Sequence, residues 1–279
     1  MPDSFFTLIA IGLYLLATVF TALSLRSSFK PNANVNAPAS KVNINIATTI
    51  ALLATAFHVI HAFNISIVEH RLNLGLSSMM VLVSGLISTL FLLGGLAMPI
   101  RRLGILVYPI TVLCLLFSLI WGNQINIHDN ANLAFNAHIL ISLIAYSLLS
   151  IASIQALLYV YQERQIKNRT NPAMLMALPP LQTMEQLLFR LLGVGFIGLS
   201  LAVISGAAFS NDIFGHPFVL KHHTLLASLG WIVFAILLFK RVKHGLRGTQ
   251  AVAWTIGGFL LIQLGYFGTK IVSEILSVP

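Results

Sequence analysis

The chain has one cysteine in 279 residues, Cys114, and it lies inside an apolar run. No internal disulfide, CxxC thiol pair or CxxCH haem attachment site can form, which excludes a c-type cytochrome and a thiol–disulfide carrier. Charge is also scarce: Asp, Glu, Lys and Arg make up 8% of the residues, and only 7 are acidic. There is no HExxH, no Gly-rich phosphate loop, no nucleophile with a base and an orienting group, and no convincing internal repeat. The usual signatures of zinc proteases, nucleotide-binding enzymes and acyl-transfer enzymes are therefore missing.

What the sequence does have is apolar length. Hydrophobic residues make up 57% of the chain and the mean hydropathy is +0.91. A soluble domain of this size could not carry that composition without exposing large apolar patches. The fold class is an all-α integral membrane protein, a polytopic bundle in the lipid bilayer. A spanning helix needs roughly 20 apolar residues, so the chain supplies about eight spans in one membrane domain over residues 1–279. The net charge of +9 sits in short clusters at helix ends, which fits orientation in a membrane better than binding to nucleic acid.

The apolar runs predict helices at about Phe5 to Leu25, Ile46 to Ile67, Leu74 to Met98, Leu103 to Ile120, Ala134 to Tyr161, Leu187 to Phe209, Thr224 to Phe239 and Ala251 to Val272. The first run lacks a basic n-region and an AxA-like cleavage site, so it reads as a retained helix. Residues 26–45 read as a polar loop, Glu69-His70-Arg71 as a turn, and Pro99 as a helix stop. The basic segment 162–171 reads as a solvated connection. Helix three carries Ser77, Ser78, Ser84, Gly85, Ser88, Gly94 and Gly95, small residues that suit close helix packing. Gln155 and Gln263 are expected to hydrogen-bond between helices.

With eight spans, Arg26, Lys30, Lys41, Arg101, Arg102, Arg164, Lys167, Arg169, Arg190, Lys240, Arg241, Lys243 and Arg247 fall on one side. Only Arg71, Lys221 and Lys270 fall on the other. The positive-inside bias then predicts that both termini face outward. On that topology His70, His128, His138, His216, His222 and His223 lie at or near the outer face. His58 and His61 lie within helix two, and His244 is cytoplasmic.

Intramembrane ionisable groups tend to line a functional interior, and neutral imidazole is a common ligand of haem iron. A histidine cluster near one face is thus a candidate metal or haem site; the alternative is a set of histidines that bond backbone carbonyls or headgroups. His58 and His61 are three residues apart and share a helix face. His222 and His223 point about 100° apart, so only one of them can meet a given ligand. Phe209, Phe214 and Phe218, beside His216, Lys221 and His222, offer aromatic faces, imidazole and a cation for a flat macrocycle; an interfacial aromatic belt would look the same.

Leu178-Pro179-x-Leu181, Glu185, Leu187, Arg190, Gly195-Phe196 and Ser205-Gly206-Ala207, followed by the aromatic loop, resemble the cytochrome c assembly domain of CcsA, CcmC and HemX-type membrane proteins. Residues 206–223 fall on that family's tryptophan-rich WWD segment, which holds haem. His138 with Ala145-Tyr146 resembles its HVxxxxxxY pattern, whose histidine is an external haem ligand, and His58 falls where a transmembrane haem histidine lies. Gly245-Leu246-Arg247-Gly248 and Tyr266-Phe267-Gly268-Thr269-Lys270 resemble the YpjD-type inner-membrane branch. The similar region covers about residues 46–272.

The departures from the family pattern are specific. Phe209, Phe214, Phe218 and Leu220 replace the tryptophans, and Lys221 replaces the aspartate. The second transmembrane histidine would fall on Phe239, and helix eight contains no histidine, so ligation cannot follow the CcsA pattern. The resemblance therefore implies a non-enzymatic haem-handling protein of cytochrome c-type biogenesis in the bacterial inner membrane, presenting haem b at the outer face to other assembly or membrane proteins. The implied iron ligands are His138 and His222, with His223 and His216 as substitutes and His58 as a deeper site. Two other functions stay open on the sequence: a small transporter or accessory subunit of one, for which His58 and His61 would line a path, and a HemX-like regulator of haem synthesis.

Overall fold

A computed structural model describes residues 2–27, 38–68, 71–97, 100–122, 133–168, 178–208, 210 and 222–272. Eight helices are long and apolar enough to cross a membrane: α1 (Pro2–Ser27), α2 (Pro38–Ser66), α3 (Leu76–Ala97), α4 (Gly104–Trp121), α5 (Leu133–Asn168), α6 (Leu181–Ala208), α7 (His222–His244) and α8 (Gly248–Ile271). The chain is a multi-pass, all-α membrane protein. A two-stranded hairpin, β1 (Ile67–Val68) and β2 (Arg71–Leu72), joins α2 to α3, with Val68 paired to Arg71.

Several helices run past the boundaries expected from hydropathy. α2 begins at Pro38, inside the expected loop; proline is well suited to a first helical position because the amide it lacks would have no partner there. α5 continues through the basic segment to Asn168, since Gln, Glu, Arg and Lys are good helix formers. Charge ends the membrane span there without ending the helix. At 36 residues, α5 is about 54 Å long at 1.5 Å per residue, well beyond the roughly 30 Å hydrocarbon core. α6 starts six residues earlier than expected, immediately after Pro179-Pro180.

α7 likewise extends to His244, where Gly245 ends it. Gly245 adopts φ 64°, and its amide and that of Leu246 donate to the carbonyls of Arg241 and Lys240. Gly248 repeats the left-handed conformation at φ 64°, so three residues suffice to turn the chain from α7 into α8. Arg241 fastens this turn to α6. Its Nη1 donates to Glu185 Oε1 at 2.6 Å and to the Leu246 carbonyl at 3.0 Å, and its guanidinium lies over the Phe189 ring. Gly245→Ala is expected to cost about 1–2 kcal/mol, the penalty of a Cβ in left-handed backbone, read as a lower thermal midpoint in detergent.

Helix contacts divide the molecule into two four-helix rings. In the first, α1 packs on α2 and α4, and α3 packs on α2 and α4; in the second, α5 packs on α6 and α8, and α7 packs on α6 and α8. Contact between α3 and α5 joins the two rings. The small residues of α3 serve packing within the first ring. Ser77 donates to Ser118 Oγ at 2.9 Å, and Ser88 lies 3.0 Å from Thr111 Oγ1, both links to α4. In the second ring, Trp231 Nε1 donates to Ser200 Oγ at 2.8 Å while its ring stacks on Phe196.

Of the two glutamines, Gln155 does bond between helices, donating from Nε2 to the Met184 carbonyl at 3.2 Å. Gln263 Oε1 is buried with no partner among the described residues.

Candidate functional site

The two rings treat their histidines differently. His58 is 0% exposed, inside the first ring. Its Nε2–H donates to the Val81 carbonyl at 3.1 Å, and Ser84 Oγ lies 3.4 Å from the same nitrogen. The Tyr14 hydroxyl lies 3.4 Å from Nδ1 and 2.9 Å from Thr55 Oγ1. His58 thus ties α1, α2 and α3 together through polar contacts in a dry setting, where such groups must be satisfied. His61, one turn on, is also buried.

The second ring holds a cavity of about 490 Å³ at the end where α5 and α7 begin and α6 and α8 finish; the start of α3 closes one side. That volume lies within the ~300–1,000 Å³ of small-molecule sites. His138 lines the cavity from α5, His223 from the first turn of α7, and Lys270 from the end of α8. Phe135, Tyr146, Tyr266 and Phe267 add aromatic surface, and most of the remaining wall is aliphatic. His58 is absent from the wall, so the structure separates it from His138.

Local contacts orient His138. Its Nδ1 lies 2.9 Å from Ser205 Oγ, and the Ser205 hydroxyl donates to the Ala202 carbonyl at 3.1 Å. With the Ser205 hydroxyl donating to Ala202, Nδ1 would donate to Ser205 and Nε2 would be the basic nitrogen. This is the tautomer a metal-ligating imidazole needs, oriented through its other nitrogen. Gly206 makes room for the ring: a Cβ there would lie 3.1 Å from His138 Cε1.

Tyr146 faces the same space, packed against Phe259 and Phe267 with centroids 5.9 and 5.6 Å away. Its hydroxyl is buried without a partner among the described residues, an orphaned donor that a bound ligand could satisfy. The far wall owes its shape to a π-helical turn over Leu264–Gly268, an irregularity common at functional sites. Gly265 lets this turn approach α7, since a Cβ would meet the His223 carbonyl at 3.2 Å.

Several residues expected at the site, His216, Phe209, Phe214, Phe218 and Lys221, lie outside the described residues, as do His70 and His128. His222 begins α7. Within the described residues the aromatic wall comes from α5 and α8, and Lys270 is the cation that lines the cavity. In the sequence Lys270 stands among three cations on the sparse side and ends the Tyr266–Lys270 stretch of family resemblance, and neither feature marks it as a cavity residue. No group of three or more His, Cys, Asp or Glu side chains suited to a metal ion occurs among the described residues.

The chain is similar to several known proteins. It is 29% identical over 155 residues to the inner membrane protein YpjD of Escherichia coli (strain K12), covering 56% of this chain and 58% of that protein. It is 37% identical over 84 residues to the cytochrome c biogenesis protein CcsA of Cuscuta exaltata, covering 30% and 27%. Similarity to protein HemX of Brevibacillus brevis is 24% over 131 residues, covering 47% and 48%. The matched region is thus little more than half of YpjD and less of the others, and no solved structure matches. The family model described as cytochrome C assembly protein matches residues 4–277, and the chain belongs to that family.

Proposed function

We propose that this protein handles haem in cytochrome c-type biogenesis, holding it in the second-ring cavity and presenting it to a partner without itself catalysing a reaction. The observation that carries this reading is His138: its ring faces a largely apolar cavity of ligand size, with Nδ1 committed to Ser205. The wall suits a haem, with imidazole for iron, aromatic and aliphatic surface for the macrocycle, and Lys270 for a carboxylate. Haem b, when bound, supplies a redox-active iron and two anionic propionates.

In this reading His138 would hold the haem iron. His223, which shares the cavity wall, is a candidate second ligand beside His222, and His58 serves packing. The basic ends of the helices face the cytoplasm of a bacterial inner membrane, and the cavity and both termini face outward. Family membership and the similarity to CcsA proteins support a place in cytochrome c biogenesis.

The test is the visible spectrum of the detergent-purified protein, oxidised and dithionite-reduced, with a haemin titration. A Soret band with low-spin reduced bands supports the proposal. A colourless protein that shows no saturable change with haemin defeats it. Gly206→Leu should lower haemin affinity by about 10–100-fold, the range for disturbing a ligand's support, because its side chain would displace the His138 ring. Gly206→Ala, a closer fit, should cost less in the same titration.

A further inference from the structure

A second cavity, of about 170 Å³, lies at the opposite end of the molecule, where the rings meet. The turn between α3 and α4 contributes Arg102 to it, α5 contributes Gln155, and the first turns of α6 contribute Thr183, Gln186 and Arg190. At that size, below the ~300 Å³ of ordinary small-molecule pockets, it takes a head group and no macrocycle. No Asp or Glu lines it among the described residues, and α6 has no acidic residue in its first turn. Two guanidinium groups and the positive end of a 28-residue helix therefore make the cavity attractive to an anion.

An independent observation concerns Gln155, which is 1% exposed. Its NH₂ donates to the Met184 carbonyl, which can only accept, so the amide orientation is set. The carbonyl oxygen Oε1 is left buried with no partner among the described residues. Such an oxygen calls for a donor, which a bare phosphate diester does not supply. A ligand that answers both features carries a phosphate for the arginines and a hydroxyl for Gln155.

We propose that this cavity binds a hydroxylated phosphate group of the glycerophosphate class, either the head of an anionic phospholipid or its soluble counterpart. The site is independent of the haem cavity. Phosphate engages Arg102 and Arg190 at the mouth of α6, and a glycerol hydroxyl donates to Gln155 Oε1.

The test uses the delipidated full-length protein in neutral detergent, titrated with dihexanoyl phosphatidylglycerol, phosphatidylmethanol and phosphatidylcholine, and with glycerol 3-phosphate. Phosphatidylglycerol should bind saturably and more tightly than phosphatidylmethanol, which has the same charge and no hydroxyl. Arg190→Gln, at an exposed position, should weaken binding at least about tenfold, the value of a charged hydrogen bond. Lys167→Gln, also exposed but outside the cavity, should change it less than about twofold. Gln155→Leu should erase the preference over phosphatidylmethanol, with circular dichroism and gel filtration reporting that the variant is folded.

If glycerol 3-phosphate binds as tightly as the lipid, the source is soluble; if binding needs acyl chains, the source is the membrane. Either result upholds the site. Phosphatidylcholine binding as well as phosphatidylglycerol, or Arg190→Gln binding like wild type, overturns it. Equal affinity for phosphatidylglycerol and phosphatidylmethanol in the wild type overturns the role of Gln155.

Discussion

The His138→Ala protein loses at least about 100-fold in haemin affinity, and Ser205→Ala loses about 10–100-fold, with little change in the helical content of either. The second range is that of removing a group that orients a metal ligand, and loss of the ligand itself must cost at least as much. The two effects should not add. Once His138 is gone, Ser205 has no ring to orient, so the double variant should match His138→Ala within error. Titration of the Soret absorbance measures all three proteins. Near-additive losses, or a full effect of Ser205→Ala in the absence of His138, would show that Ser205 acts on haem by another route. His223→Ala is a second comparison: conversion of low-spin to high-spin bands would identify it as a second residue that holds the iron.

Replacing His58 has the opposite signature. His58→Ala removes a fully buried side chain and its bond to the Val81 carbonyl, which Ser84 Oγ still meets at 3.2 Å. The expected loss is about 2–5 kcal/mol, the range for truncating a large buried side chain and losing its hydrogen bond. His58→Gln should recover part of it, because a glutamine amide can donate to the same carbonyl. Unfolding in mixed micelles gives the stability, and haemin titration of the folded fraction should give an affinity near that of wild type. A stable His58→Ala protein that had lost its haem would refute the packing role and return His58 to the ligand set.

The first-ring histidine also bears on the transport alternative. A path along α2 would need His58 to face water or substrate, yet it sits among Tyr14, Val81 and Ser84. The serines of α3 that could have lined such a path are taken up in packing: Ser77 and Ser88 bond to α4, Ser78 to the Ile65 carbonyl of α2, and Ser84 to the Val81 carbonyl.

The sequence by itself determined the membrane class and the number of spans. Both follow from summed side-chain hydrophobicity over about 20 residues, a local property that needs no knowledge of neighbours. Pro179-Pro180 and the glycines of the α7–α8 turn limit the helices through backbone chemistry, yet hydropathy placed the starts of α6 and α8 later, at Leu187 and Ala251. The family was also legible, because residues such as Leu178, Glu185, Arg190, Ser205 and Gly206 keep a fixed spacing along the chain. Helix ends were less so: hydropathy reports where a helix leaves the apolar layer, and α5 goes on beyond that point as a soluble helix would.

Only the tertiary structure decided which histidines share a space. His58 and His138 look equivalent as polar residues in apolar runs, and both are placed by family resemblance at haem positions. Packing puts the first inside one ring and the second inside the other, and no periodicity in either helix encodes which helices will surround it. The tautomer of His138 depends on Ser205, 67 residues away, and the cation of the cavity comes from the far end of α8. Such pairings arise from the order in which helices close into rings. That order is set by many weak side-chain contacts at once, so it exists in the folded bundle and in no single stretch of the chain.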